Sequence, residues 1–173
     1  MSPSKSESKS NRPASITGGC LCGSIRYTIN FSQDTKWPPE SATCQCTMCR
    51  KWTSSLLAPF IVVRPSQLTP YPFTKFLTYT EYESSRNRFR GFCTKCGSSL
   101  IWRSDDQKET LDLFLGTVDE KWLVQEKDVG KDLATPNQFQ FWCENAIEGV
   151  TDVVRGGRKF LKEEDEGGER ELK

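Results

Sequence analysis

Three features of the sequence predict a mainly β domain with little helix. Apolar side chains recur with a period of two in short segments, proline-rich pieces separate some of those segments, and helix signals are weak. In SIRYTINF, residues 24–31, the side chains Ile25, Tyr27, Ile29 and Phe31 alternate with polar ones, the pattern of a half-buried strand. LLAPFIVV (56–63) is an apolar run, and its Pro59 predicts an edge strand or a bulge. FTKFLTYT (73–80), SRNRFRGF (85–92), SSLIWR (98–103) and LDLFLGTV (111–118) are expected to be strands as well. Trp37-Pro38-Pro39 and Thr69-Pro70-Tyr71-Pro72 interrupt the series. One short helical turn is expected after Cys46 and another near Asp119–Trp122.

The chain has 173 residues, enough for one domain with a real core. Residues 1–15 (MSPSKSESKSNRPAS) are rich in Ser, Lys and Pro and are predicted to be a disordered tail. Residues 156–173 (GGRKFLKEEDEGGERELK) mix charge with glycine and are predicted to be a solvated, charged tail. The folded domain is then residues 16–155. The formal net charge is +1, so no global field points to nucleic acid or to a membrane. The first fifteen residues lack the apolar core of a secretory signal, and no apolar run is long enough to span a bilayer. A cytoplasmic protein is expected, with the nucleus the other compartment, working as a monomer or a homodimer.

Eight cysteines and no histidine narrow the chemistry. In a reducing compartment, closely spaced cysteines are metal ligands more often than disulfides. The lack of histidine removes Ser-His-Asp and Cys-His catalysis, and any zinc must be held mainly by thiolates. Cys93-Thr94-Lys95-Cys96-Gly97 is a zinc-knuckle turn, in which the glycine lets backbone amides turn toward the sulfurs. In Cys20-Leu21-Cys22 an extended backbone points both side chains the same way. Cys20, Cys22, Cys93 and Cys96 together make one closed structural site; the alternative is four unligated core cysteines.

ATCQCTMCRKW (42–52) supplies three further ligands, Cys44, Cys46 and Cys49. Cys143 stands alone among Phe139, Phe141 and Trp142 and is expected to pack as an apolar residue. Three protein ligands plus an exchangeable position is the pattern of a catalytic zinc. Two alternatives compete: Cys143 completes a second closed site, or the cluster binds no metal. A three-thiolate zinc is a weak Lewis acid that favours a soft ligand, so thiol activation is expected more than water activation.

GGCLCGSIRY, CQCTMCRKW, FCTKCGSSL and LFLGTVD resemble the successive motifs of the glutathione-dependent formaldehyde-activating enzymes, a family that includes the centromere protein V type. The resemblance covers roughly residues 16–123 and seven cysteines in order. It implies a folded β-ribbon architecture, the β-tent, with a structural zinc at Cys20, Cys22, Cys93 and Cys96. It also implies a second, catalytic zinc at Cys44, Cys46 and Cys49, and a reaction joining glutathione and formaldehyde as S-hydroxymethylglutathione. Many family members read CHC where this chain has Cys44-Gln45-Cys46. The metal ligands survive that change, but a proton-transfer role at the position does not, and Gln45 becomes a candidate substrate contact.

Glutathione carries two carboxylates, so a pocket for it needs cations. Arg50 and Lys51 follow directly on Cys49 and are the candidates. Arg86, Arg88 and Arg90 alternate, and on a strand they share one face, which is expected to be solvated. Trp52 is expected to pack. The expected function is that of a zinc-dependent carbon–sulfur lyase or synthase acting on a small thiol adduct, with zinc as cofactor, two ions per chain, and glutathione as co-substrate. One alternative is a non-catalytic, zinc-stabilised interaction module with both sites closed. Another is a metabolic enzyme using the same zinc site on a larger electrophile, which a wide apolar surround near Cys46 favours.

Overall fold

The computed structural model describes residues 12–163. Residues 1–11 of the tail expected at the N-terminus lie outside the described residues, as does the end of the C-terminal one; of the rest, the Ala14 carbonyl accepts from the Phe31 amide at 2.8 Å and Ser15 begins the first strand. Eleven strands occur among the described residues, with two short α-helices and a π-helical segment at Lys121–Gln125. The strands are β1 (Ser15–Gly19), β2 (Arg26–Asn30), β3 (Ser41–Cys44), β4 (Ala58–Val63), β5 (Leu68–Thr69) and β6 (Tyr79–Ser85). They continue with β7 (Arg88–Cys93), β8 (Ser99–Ser104), β9 (Leu111–Phe114), β10 (Phe139–Phe141) and β11 (Arg158–Lys159). The helices are α1 (Thr47–Thr53) and α2 (Lys127–Ala134).

The strands form a three-stranded sheet, ordered β1-β2-β5, and an eight-stranded sheet, ordered β11-β10-β3-β4-β9-β8-β7-β6. The two faces of the larger sheet do different work. Ile61, Leu113 and Ile101 are cross-strand partners on β4, β9 and β8. They share a core with Ile16, Tyr27, Ile29 and Leu68 of the small sheet, with Ile25 just before β2, and with Val129 and Leu133 of α2. Each such buried aliphatic side chain contributes roughly 1.5–3 kcal/mol, so this face carries the stability. The opposite face presents Phe60 and Phe114, which pack with Ala42, Cys44, Cys46 and Ala58 in a second, smaller cluster.

Several local expectations shift. SIRYTINF and SSLIWR are strands, as β2 and β8. Cys20 and Cys22 are not on an extended segment; they lie in the turn between β1 and β2. β4 is not an edge strand, since it lies between β3 and β9. Its Pro59 is tolerated because β9 ends at Phe114, opposite Phe60, so one side of the strand has no ladder to lose there. FTKFLTYT begins with a 3-10 turn at Phe73–Lys75, and β6 starts only at Tyr79. SRNRFRGF is a hairpin: Asn87 turns with a positive φ of 60° and β7 follows.

The C-terminal boundary also moves. Residues 156–163 were expected in a solvated tail, yet β11 pairs with β10 and Phe160 is 1% exposed. Its ring meets Phe139 and Phe141, so the fold extends past residue 155.

Candidate metal centres

The β1–β2 turn and the β7–β8 turn come together at one end of the molecule. Cys20, Cys22, Cys93 and Cys96 bring four sulfurs within 4.8 Å of one another. The Cys20 and Cys22 sulfurs lie 3.5 Å apart, and those of Cys22 and Cys93 lie 3.8 Å apart. Gly97, with a φ of +77°, supplies the left-handed residue of the knuckle. Its amide donates to the Cys93 carbonyl at 2.8 Å. The Ile25 amide donates to the Cys20 sulfur at 3.3 Å. The hydroxyl of Ser24 lies within 3.6 Å of three sulfurs, those of Cys20, Cys22 and Cys93. The Ser98 hydroxyl pulls the Cys96 thiol down to about 5 against the opposing effect of burial. Burial pushes the Cys93 thiol up, but hydrogen bonds from Ser24 and the backbone amides of Cys96 and Lys95 outweigh it and hold Cys93 low.

The hairpin carrying the first cysteine pair is pinned from behind. Asp119 accepts hydrogen bonds from Thr17 and Arg26 at 2.5–2.8 Å, and the Gly18 position leaves no room for a Cβ against Thr117 and Tyr27. This explains physically why GTVD at residues 116–119 accompanies the cysteine motifs.

The second cluster lies on the aromatic face of the large sheet. Cys44 ends β3, Cys46 caps α1 and Cys49 sits in its first turn. Their three sulfurs lie within 4.8 Å of one another, and no fourth His, Cys, Asp or Glu joins them among the described residues. The Cys49 amide donates to the Cys46 sulfur at 3.2 Å. Hydrogen bonds from Cys44 and Cys49 hold the Cys46 thiol well below its ordinary value, with the nearby Arg90 charge acting in the same direction. Cys44 moves the opposite way, because its proton is the one shared toward Cys46.

Arg90 corrects the sequence reading. It is 4% exposed, not part of a solvated arginine face. Both of its terminal nitrogens approach the Cys49 sulfur, and its Nε donates to the Ser84 hydroxyl at 3.1 Å. Arg88 stays at the surface and pairs with Asp106, while Arg86 is an exposed turn residue.

Arg50 and Lys51 occupy the last turn of α1, the first half-buried and the second exposed. Trp52 packs against the cysteine cluster and meets Phe92 edge-on at 5.4 Å. Gln45 points elsewhere. It is 1% exposed, its Oε1 accepts from the Thr151 hydroxyl at 2.6 Å, and its carbonyl accepts from Asn145 at 3.2 Å. In this arrangement Gln45 fastens the C-terminal segment to the sheet. Cys143 joins neither cluster; its thiol donates to the Gln140 carbonyl at 3.3 Å.

Asp112 and Trp102 are site-face residues that the sequence reading missed. Asp112 lies between Val62 of β4 and Trp102 of β8, and Arg90 is the next residue across, on β7. Val62 and Trp102 pack against the apolar cluster that contains Cys44, Cys46, Phe60 and Phe114. Burial pushes the Asp112 carboxyl up to about 7, and Arg90 opposes this only in part. The available signal was a lone acidic residue inside the apolar strand LDLF.

Both donor sets consist of sulfur alone, which suits a soft or borderline ion. Four sulfurs make a closed tetrahedral set, and three leave one position for an outside donor. The residues present therefore fit metal at both clusters.

A model of the family described as glutathione-dependent formaldehyde-activating enzyme matches residues 15–145. Among solved structures, the crystal structure of a Rhodobacter sphaeroides protein is similar at 19% identity, covering 60% of this chain and 88% of that one, with a TM-score of 0.47. No curated protein matches the chain significantly.

Proposed function

Because the chain belongs to the glutathione-dependent formaldehyde-activating enzyme family, we propose that it is a zinc-dependent carbon–sulfur lyase or synthase. Glutathione is its thiol, and formaldehyde or another small electrophile is the second reactant. The observation that carries this reading is the incomplete donor set of Cys44, Cys46 and Cys49, which no fourth protein donor completes among the described residues. Zinc held there supplies a soft Lewis acid that favours a thiolate over a thiol.

The protein's own groups do the remaining work. Arg90 places a buried cation against Cys49 and offsets the negative charge that three thiolates leave. Arg50 and Lys51 attract and orient the carboxylates of the incoming thiol. Trp52, Trp102 and Trp142 pack against the apolar cluster that holds Cys44 and Cys46 and limit water there. In the synthetic direction the thiol loses its S–H proton as its sulfur bonds to the aldehyde carbon, the carbonyl π bond opens, and the oxygen takes up one proton in its place. Addition of a thiol to formaldehyde is already easy, so holding both reactants in place is the main contribution. The eight cysteines are free, which supports a reducing, cytoplasmic setting.

The aromatic surround of the second cluster favours one further reading, in which the electrophile is larger than formaldehyde. Both readings share one test. Cobalt(II) replaces the native metal, and glutathione or S-methylglutathione is titrated while the thiolate-to-cobalt absorption is followed. Growth of the band with glutathione alone is the expected result. No change with either compound, at full cobalt loading, sinks the thiol reading. Turnover of formaldehyde against an aromatic aldehyde then ranks the electrophiles.

A further inference from the structure

One carboxyl group on the site face has no structural task. Asp112 projects from β9 between Val62 and Trp102, two side chains that pack against the apolar cluster containing Cys44 and Cys46. Directly opposed residues of an antiparallel pair share a face, so the carboxyl is on the cysteine side of the sheet. Among the described residues no hydrogen bond or ion pair engages its side chain; the ion pairs involve Arg26, Arg88 and Arg103 instead. It is half-buried among its apolar neighbours. A carboxyl group held on a largely apolar face without a hydrogen-bond partner costs stability, and such groups concentrate where chemistry needs them.

The charged groups around it are few. Arg90, on β7, faces it across Trp102 and also reaches Cys49. Arg88 lies one step further along β7 and is neutralised by Asp106. The neighbours on β4 and β8 are Val62 and Trp102, and the next residue on the same face of β9 is Phe114, all uncharged. The remaining titratable groups on this side are Tyr82, opposite Arg90 on β6, Arg50 and Lys51 of α1, and the three thiols of the cluster.

We propose that Asp112 is the proton-transferring residue of the three-cysteine site. This rests on the thiol reading above and deepens it. As the substrate thiol gives up its proton, the Asp112 carboxylate accepts it. As the sulfur bonds to the aldehyde carbon and the carbonyl π bond opens, Asp112 returns that proton to the oxygen. One S–H bond is exchanged for one O–H bond, no electrons are lost, and the carboxylate is regenerated. The reverse reaction runs through the same two transfers. The position of its ionisation, raised by burial to about 7, lets the group hold or release a proton near neutrality.

The test compares the zinc-loaded protein with its Asp112→Asn and Asp112→Glu variants. Asparagine keeps the volume and removes the costly charge, so the fold is retained. Glutathione binding is measured by calorimetry at one pH in two buffers of different ionisation enthalpy, which reports protons released per thiol bound. The parent is expected to release well under one proton and Asp112→Asn about one, because the acceptor is gone. Turnover should fall by about 10²–10⁴ in Asp112→Asn and recover in part in Asp112→Glu. Equal proton release and equal turnover overturn the role of Asp112 and leave the thiol reading standing. Lower turnover with equal proton release makes Asp112 a positioning residue and overturns proton transfer. Glutathione binding to none of the three proteins overturns the thiol reading and this role with it.

Discussion

Both terminal guanidinium nitrogens of Arg90 lie 3.7 Å from the Cys49 sulfur. A buried arginine beside three thiols is tolerable only if those thiols carry negative charge. Three thiolates and a divalent ion sum to −1, and Arg90 brings the total to zero. Arg90→Met keeps the length of the side chain and removes the charge. It should weaken metal binding at Cys44, Cys46 and Cys49 by about 10–100-fold, as loss of an outer-shell partner does. Competition with a chromophoric chelator measures this, with the four-cysteine cluster as an internal reference. Equal affinity in the variant would mean that the cluster does not carry the negative charge.

Cys93 is expected to be indispensable for folding. It is fully buried, and its cluster ties the β1–β2 turn to the β7–β8 turn. Metal binding of this kind is folding free energy, on the order of 10 kcal/mol for a structural zinc. Cys93→Ser should therefore lose one metal equivalent and its cooperative unfolding transition. A variant as stable as the parent, with its full metal content, would remove the closed-site assignment.

Cys143 should be dispensable for metal. Its thiol makes one hydrogen bond, to the Gln140 carbonyl, and it belongs to neither sulfur cluster. Cys143→Ala should cost about 1 kcal/mol from that bond and the lost volume. Elemental analysis should find the metal content unchanged. Loss of one equivalent would make Cys143 a fourth ligand and turn the second centre into a closed one.

The cysteine clusters were legible because ligand spacing is local: CxC, CxCxxC and CxxCG each bring sulfurs together within one turn. The partnership of Cys20 and Cys22 with Cys93 and Cys96 followed from two separate pairs with ligand spacing, and the family resemblance implied the same set. Arg90 and Asp112 were not legible, because alternation says which residues share a face and not which face. Their side depends on the strand order β4-β9-β8-β7, a non-local fact. The helix α2 was missed although Val129 and Leu133, four residues apart, both bury on one side. Phe160 was hidden by the charges around it, since composition averages over a segment and burial acts on one side chain.

Gln45 anchors the C-terminal segment through Thr151, a residue 106 positions away. Gln45→Leu leaves the buried Thr151 hydroxyl without its acceptor and should cost about 1–3 kcal/mol. The effect should be local: limited proteolysis within residues 146–157 should accelerate, while cleavage in the β1–β2 hairpin should not. Uniform protection in parent and variant would show that the segment is held by Phe160 and its aromatic neighbours alone.

Asp112 makes a prediction about stability that is independent of catalysis. Its folded carboxyl ionises at about 7, against an ordinary value of 3.8, because burial disfavours the charged form. The folded state therefore binds the proton more tightly than the unfolded state does. Between about pH 4 and pH 7 the folded protein keeps a proton that the unfolded chain has lost, so this group lowers stability as pH rises through that window. Below the window both states are protonated and the penalty vanishes; above it the penalty is complete and constant. Asp112→Asn removes the ionisation. The variant should match the parent near pH 4 and exceed it in Tm near pH 8, with the gap opening across the window. Thermal unfolding of both proteins at a series of pH values, with metal content held equal, measures this directly. A gap independent of pH, or a parent that is the more stable protein at pH 8, would show that the Asp112 charge is compensated in the fold. The carboxyl would then have no reason to hold a proton near neutrality.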